Sequence, residues 1–461
     1  MNWYKEVEQR KEKLIEDTVS LLQIKSVFDE TTVTKEQPLG SGIADALQYM
    51  LELGEKDGFT VKNVDGYAGH IEYGEGEELI GILCHLDVVP EGDGWTTPPF
   101  DAQIRDGKIF ARGAIDDKGP TMGAYYALKI VKELGLPINK RIRIILGTDE
   151  ESNWQCVDHY FANEEMPTMG FAPDADFPII NSEKGICDFF FALEGNKETG
   201  FVTSFKSGHR PNMVPDKAVA ILYSNDSIED KFTNFLEENK LNGSYSQDGS
   251  EITIVVEGVS AHGMEPDKGV NAALYLASFI LPYCISERET KYFNFLVNYL
   301  WKDSRGKSIG INHSNDTLGD LTINYGIFSY EQGKEGKISF NLRYPNTTPF
   351  TDVETKLHKT ANELGFTITE WRNMAPHYVD PSHELIQTLS KVYEEQTGEK
   401  AELLAIGGGT YGRSLKAGVA FGPLFVGEEE LAHQKDEYIL IESLLKATAI
   451  YAAAIYELAK K

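Results

Sequence analysis

Cysteine is scarce in this chain: Cys84, Cys156, Cys187 and Cys284 are the only four among 461 residues. They are widely spaced and form no CxxC pair, which excludes a zinc ribbon and a dithiol redox motif. Such sparse cysteine fits a reducing, cytoplasmic setting better than a disulfide framework. Basic residues are also in deficit. Lys plus Arg total 44 against 72 for Asp plus Glu, a formal net charge of −28. Nucleic acid and anionic membrane surfaces are therefore poor partners. No apolar run reaches the ~20 residues of a membrane span, and no internal repeat or low-complexity tract occurs. The opening Met-Asn-Trp-Tyr-Lys-Glu-Val-Glu-Gln is expected to be a charged helix rather than a secretory leader. What is present is the composition of a folded soluble protein, 41% hydrophobic and 25% charged. The length predicts two domains rather than one core.

Hydrophobic periodicity predicts a helix over 3–24, with Val7, Leu14, Ile15, Val19 and Leu22 on one stripe, and another over 44–53. Segments 59–64 and 70–73 alternate as strands around Asp65-Gly66. Segment 79–84 is a continuous apolar run, as in a strand buried on both faces, and 142–146 is read as another buried strand. A short extended piece, 109–111, lies between them. Pro120 is then expected to open a helix reaching about Leu134, since proline is well tolerated in a first helical turn. From 183 to 260 the pattern changes to short alternating strands with turns at Asn242-Gly243 and Asp248-Gly249. A helix over 270–281, a mixed stretch 286–320, paired strands 321–328 and 337–343, and a helix over 352–364 follow. A helix over 384–396, a strand over 402–406, a glycine loop and a final helix over 441–458 return to the first texture. The predicted fold class is α/β. A discontinuous domain of 1–182 and 380–461, with a mixed, helix-flanked β-sheet, is interrupted by a large inserted α+β domain, 183–379.

The chemistry-bearing residues stand where apolar segments end. His85 and Asp87 follow Leu-Ile-Gly-Ile-Leu-Cys. Two apart at a strand end, they can share a face. Asp87 could then take the second imidazole proton and orient His85 as a ligand, though a merely polar strand end reads the same. Asp116-Asp117-Lys118-Gly119-Pro120 precedes a helix. Aspartate is a favoured N-cap, but capping explains one aspartate better than two, and a carboxylate between two cations can bridge them. Glu150 and Glu151 follow Arg-Ile-Arg-Ile-Ile-Leu-Gly-Thr-Asp. Adjacent side chains diverge in extended backbone, so one would ligate and the other reach over the site. Asp174 sits in Ala-Pro-Asp-Ala-Asp-Phe-Pro, with Asp176 a rival, and His433 in Glu-Leu-Ala-His-Gln-Lys-Asp-Glu. Carboxylates with two imidazoles suit one or two divalent ions such as zinc or manganese. A carboxylate left over beside them can serve as general base.

Taken together, His-Leu-Asp-Val-Val-Pro, Gly-Ala-Ile-Asp-Asp-Lys-Gly-Pro, Thr-Asp-Glu-Glu-Ser and Pro-Asp-Ala-Asp-Phe-Pro resemble the co-catalytic metallopeptidases. That family includes carboxypeptidase G, succinyl-diaminopimelate desuccinylase and aminoacylase, and the chain looks most like its PepV-type bacterial dipeptidases. The resemblance covers essentially the whole chain. It implies two divalent ions, zinc or manganese: one held by His85 and Asp174, the other by Glu151 and His433, with Asp116 bridging. It further implies that Asp87 supports His85, that Glu150 is the general base, and that the Asp116–Asp117 bond is cis. The inserted domain becomes a lid carrying substrate contacts. His262, in Val-Ser-Ala-His-Gly, would polarise the scissile carbonyl, and Arg343, in Asn-Leu-Arg-Tyr-Pro, would pair with a substrate carboxylate. Asn212, in Arg-Pro-Asn-Met-Val-Pro, is a further contact. Gly407-Gly408-Gly409-Thr410, with Arg413, reads either as a tight turn or as a loop whose amides receive an anion. The resemblance favours a substrate-carboxylate role for Gly408 and Gly409.

The activity so implied is hydrolysis of unblocked dipeptides by a cytoplasmic monomer, the large lid capping the site within one chain. One rival is an amidohydrolase of the same family acting on N-acyl amino acids or succinyl-diaminopimelate. Another is a metal- or peptide-binding protein without catalysis. A decoy is also present: Gly306-Lys307-Ser308-Ile309-Gly310 matches the serine-hydrolase pattern Gly-x-Ser-x-Gly. That pattern has meaning at a strand-to-helix elbow. Beside Asn312, His313 and Asn315 it is expected to be a loop.

Overall fold

The apolar runs of the N-terminal region form the middle of a mixed sheet. The computed structural model describes residues 1–460, which divide into two compact units. The first contains Met1–Ser182, Tyr378–Ala405 and the described residues from Gly409 onward. Its strand Leu79–His85 is buried throughout. It pairs in parallel with Arg141–Gly147 on one side and Met169–Ala172 on the other. Gly418–Ala420 extends the sheet in parallel beyond Met169–Ala172. Ala68–Tyr73 and Thr60–Val64 close the other side in antiparallel fashion. Helices cover the sheet, which is why its central strands are apolar on both faces.

Register decides where the chemistry goes. Cys84 pairs with Leu146, His85 with Gly147, and Ile82 with Phe171. The carboxyl ends of these parallel strands therefore leave the sheet along one edge, the place where open α/β sheets bind ligands. Helix Lys118–Glu133 packs against Ile441–Ala459 and Lys11–Leu22. Ala447, Ala449, Ala452, Ala453 and Ala454 line the buried face of Ile441–Ala459 and let its backbone approach closely. Among the described residues no helix is long and apolar enough to cross a membrane.

Two departures from the periodicity are informative here. The helix expected over 3–24 is two helices, Trp3–Glu8 and Lys11–Leu22. At the break, the Arg10 guanidinium donates to the Glu6 carbonyl at 2.7 Å. That is the acceptor the Arg10 N–H would use in a continuous helix; the N–H bonds to the Val7 carbonyl instead. The strand expected over 142–146 begins at Arg141, and the helix expected to open at Pro120 begins at Lys118, so the proline lies in the first turn where its missing N–H costs nothing.

The second unit contains Glu183–His377 and Ile406–Gly408. It is built on an antiparallel sheet ordered Asn242–Asp248, Glu251–Glu257, Lys217–Tyr223, Val202–Ser207, Phe328–Glu331, Gly336–Tyr344, Gly185–Leu193, Thr367–Met374. Strict burial alternation along Lys217–Tyr223 and Glu251–Glu257 marks one packed face, covered by helix Ala272–Ile280. The strand expected over 321–328 is divided into Thr322–Asn324 and Phe328–Glu331. At Gly326 the backbone passes so near the Arg210 and Pro211 carbonyls that a Cβ would stand 2.4 Å from each. A helix at Glu229–Asn239 interrupts the stretch read as strands; only Phe232 on it is buried, so its stripe is too thin to read.

A buried polar chain lies on the first sheet. Tyr160 Oη is 2.8 Å from His70 Nδ1 and accepts from Arg143 at 3.2 Å, and Arg143 pairs with Glu72 at 2.6 Å. Burial, helped by the Arg143 charge, lowers the His70 pKa to about 4. Because this lies below the unfolded value, the unfolded chain takes the proton first. The stabilisation is complete above the unfolded pKa and is lost as pH falls through the folded one. Stability is expected to drop by about 2 kcal/mol between pH 7 and pH 5 from this group alone. Urea midpoints for His70→Gln should show a correspondingly flatter pH dependence. An unaltered profile would contradict the assignment.

Candidate metal centre

His85 ends the buried strand and is itself fully buried. Its Nδ1 lies 2.9 Å from the Asp87 carbonyl oxygen. A carbonyl can only accept, so Nδ1 carries the proton and Nε2 is left as the ligand nitrogen. Nε2 is 3.0 Å from Asp116 Oδ1 and 3.6 Å from Asp174 Oδ2, yet it is buried without a well-aligned hydrogen bond. A ring nitrogen facing two carboxylates in this way is a position that either a proton or a metal cation can fill. Across Asp116, Oδ2 is 3.0 Å from His433 Nε2, which is also 3.0 Å from Glu151 Oε1. The donors thus form two groups, His85/Asp116/Asp174 and Asp116/Glu151/His433, with the ligand atoms of each within 4.8 Å of one another. Asp116 belongs to both. This oxygen and imidazole set suits zinc or manganese. Asp174, and not Asp176, falls within a group.

The neighbouring carboxylates build the frame. The Asp116–Asp117 peptide is cis. Asp117 makes no side-chain cap to helix Lys118–Glu133. Its Oδ2 instead accepts from His85 N and Thr121 Oγ1, both at 3.1 Å. Asp87 is also used differently from the sequence expectation. Its carboxylate stands 3.6 Å from His85 Nδ1 because it accepts the backbone N–H groups of Glu150 at 3.1 Å and Glu151 at 3.0 Å. Asp87 therefore orients the imidazole through its carbonyl and ties the two glutamates to the His85 strand end through its carboxylate. Glu150 belongs to neither donor group. Its carboxylate is governed by burial and charge, with no hydrogen bond among the described residues.

Tyr411, just past the glycine loop, has no counterpart in the sequence reading. Its ring meets His85 edge-on at 5.9 Å and Trp154 at 5.2 Å, and its Oη is 2.6 Å from Cys156 Sγ. Only glycine fits at 147, where a Cβ would stand 2.4 Å from Tyr411 Oη. A glycine closing an otherwise bulky buried strand is the one sequence signal of that approach.

Within the second unit, Gly263 N donates to Asn212 O at 2.7 Å, and Met213 bridges His262 in a short antiparallel contact. Asn212 and His262 are thereby brought together. His262 Nδ1 accepts from Met264 N at 3.2 Å, which leaves the proton on Nε2. Arg343 is buried, with Nε donating to Asn341 Oδ1 at 2.9 Å and Nη1 to the Gly407 carbonyl at 3.3 Å. Asn341 in turn donates to Asp188 at 2.6 Å. The Gly306–Gly310 stretch is a surface turn: the Asp303 carboxylate gathers the N–H groups of Arg305, Lys307 and Ser308. It is not a strand-to-helix elbow, so the serine-hydrolase pattern carries no chemistry there.

Residues 81–457 match the family described as Peptidase family M20/M25/M40. The chain belongs to peptidase family M20/M25/M40. It is 50% identical over 466 residues to "Putative dipeptidase YtjP" of Bacillus subtilis (strain 168), covering 100% of both chains. It is 44% identical over 464 residues to "Putative dipeptidase" of Staphylococcus epidermidis, covering 99% of each. The fold resembles the Saccharomyces cerevisiae dipeptidase Dug1p, with a TM-score of 0.60 at 14% identity over 100% of this chain and 99% of that one. It also resembles human carnosine dipeptidase 1, with a TM-score of 0.60 at 12% identity over 99% and 98%. At such identities the likeness shows the fold alone. This M20/M25/M40 chain is therefore a peptidase of metallopeptidase fold, with two candidate groups of metal-binding side chains.

The charges of the M20/M25/M40 site are mutually dependent. Burial pushes Glu150 well above the usual carboxylate range, with Asp174, Glu151 and Asp116 adding repulsion against the pull of His85. Burial and Asp116 raise Glu151 to about 7. Burial opposes charge on His433, but Asp116 and Glu151 outweigh it and lift its pKa to about 11. His85 is raised likewise by Asp174, Asp116 and Asp87 against burial. In the metal-free protein at pH 7 both imidazoles therefore hold protons on their ligand side. Ligation needs those nitrogens deprotonated. Uptake of zinc or manganese is expected to release protons, and affinity to rise with pH. Calorimetry in buffers of different ionisation enthalpy measures the release; binding enthalpies independent of buffer would contradict it.

Proposed function

We propose that the chain is a dipeptidase that hydrolyses unblocked dipeptides with two divalent ions, zinc or manganese. The observation that carries this reading is Asp116 between two imidazoles, with the Glu150 carboxylate outside both donor groups. His85 and Asp174 would hold one ion, Glu151 and His433 the other, and Asp116 both. Bound there, divalent ions supply Lewis acidity and a water nucleophilic near neutral pH. Glu150 takes a proton from the attacking water and returns it to the leaving amine. Asp87 fixes the backbone from which Glu150 extends. Full-length identity to relatives named as dipeptidases supports the substrate class.

The second unit is assigned the substrate contacts, as an inserted lid of roughly residues 183–379. With its proton on Nε2, His262 is set to donate to the scissile carbonyl as negative charge develops. Arg343, anchored by Asn341, pairs with the substrate carboxylate, and the amides of Gly408 and Gly409 add to it. Asn212 completes the contacts beside His262. The protein is assigned as a cytoplasmic monomer.

Free dipeptides, their N-acetylated forms, a tripeptide and succinyl-diaminopimelate, assayed after chelation and after zinc or manganese is restored, test the reading. Cleavage of the free dipeptides alone, lost on chelation and regained with metal, is expected. Preference for the acylated compounds would move the chain to the amidohydrolase branch. In parallel, Glu150→Gln should lower kcat by about 10²–10⁴ with metal content unchanged. Wild-type turnover in that variant would remove Glu150 from its role.

A further inference from the structure

A buried ion pair stands beside the ligands without being one of them. Arg112 and Glu437 are 2% and 0% exposed, and Nη1 lies 2.6 Å from Oε2. Such a pair is weak ground for stability by itself, since desolvation offsets the attraction. What sets this one apart is the destination of its other hydrogen bonds. Glu437 Oε1 accepts from the N–H groups of Ile115 at 2.9 Å and Asp116 at 3.3 Å. Arg112 donates to the carbonyls of His433 at 3.4 Å, Gln434 at 3.2 Å, Pro90 at 3.4 Å and Glu91 at 3.3 Å. Trp95 lies 5.2 Å from the guanidinium and donates its indole N–H to the Glu91 carbonyl at 2.7 Å. The pair thus gathers the loop after His85 and Asp87, the segment leading to Asp116, and the loop that carries His433.

His433 needs such support more than the other ligands. It is 52% exposed. It lies between Leu424 and Tyr438, a stretch with no helix or strand. Its φ is 65°, the left-handed region that a residue with a Cβ rarely adopts. His85, by contrast, is the last residue of a fully buried strand. We propose that the Arg112–Glu437 pair is a positioning device for the second cation site. It fixes the Asp116 and His433 backbones relative to each other, and so sets the affinity of the Asp116/Glu151/His433 group in preference to the His85/Asp116/Asp174 group. The inference rests on the two-ion reading above.

Titration of the chelator-stripped full chain with Co²⁺, followed by visible absorption and calorimetry, tests it without reference to turnover. Arg112→Lys keeps the ion pair but cannot reproduce the fan of donors to the carbonyls. One of the two binding steps is expected to weaken about 10–100-fold, the size usual for loss of a group that orients a ligand, while the other stays close to wild type. The double variant Arg112→Met/Glu437→Gln removes both charges together, so neither is left buried alone, and keeps an acceptor for the Ile115 and Asp116 N–H groups. It is expected to show the same selective loss with a melting temperature near wild type. Wild-type affinity at both steps in either folded variant would overturn the proposal, as would equal weakening of both. If neither variant folds, the pair is structural and the proposal fails. His433→Ala identifies which step belongs to the second site. If that variant still binds two ions as wild type does, His433 is not a ligand and the inference falls; if the wild type itself binds fewer than two ions, the two-ion reading falls with it.

Discussion

One carboxylate sets the terms for the rest of this site. Asp116 presents Oδ1 to His85 and Oδ2 to His433, each at 3.0 Å. Neither imidazole can approach without confronting negative charge, and the charge is largely shielded from water. The cost falls on its neighbours: Glu150 and Glu151 are driven upward, and His85 and His433 are raised as well. A buried cluster of this sign is sustained by cations or by protons. The exchange of one for the other links metal loading to pH.

The surrounding fold is arranged so that this carboxylate meets its partners. Parallel pairing of Leu79–His85 with Arg141–Gly147 and Met169–Ala172 brings His85, the paired glutamates and Asp174 to one sheet edge. Backbone hydrogen bonds then lock the ends together: Asp87 to Glu150 and Glu151, Asp117 to His85, and Glu437 to Asp116. The carboxylates that make these bonds, Asp87, Asp117 and Glu437, are more buried than the ligand carboxylates they support. In the second unit the logic is repeated on neutral groups. Asn324 donates to the Pro211 and Met213 carbonyls at 2.6 and 2.8 Å and so fixes the turn that carries Asn212.

Much of this was legible in the sequence for a physical reason. Strands buried on both faces are largely apolar, so Leu79–His85 announces itself and Arg141–Gly147 does so despite Arg143, and a polar residue at their ends has to serve something. Helices with wide apolar stripes, such as Glu384–Thr397 and Ile441–Ala459, are equally plain. Glu229–Asn239 buries one residue and left no stripe. The break at Arg10 depends on a side chain taking a backbone acceptor, which periodicity does not register. The residue pattern alone did not separate Asp174 from Asp176; the resemblance chose Asp174, and Asp174 falls within a donor group. The Arg112–Glu437 pair and the Tyr411–His85 contact join positions hundreds of residues apart, and no local pattern marks either partner.

The most direct measurement is the count of zinc or manganese ions bound per chain, by native mass spectrometry, in the wild type and in Asp116→Ala. Shared ligation predicts two ions in the wild type and weakened binding of both in the variant. Two ions retained at wild-type affinity after removal of the Asp116 carboxylate, or loss of only one, would contradict a site organised around it.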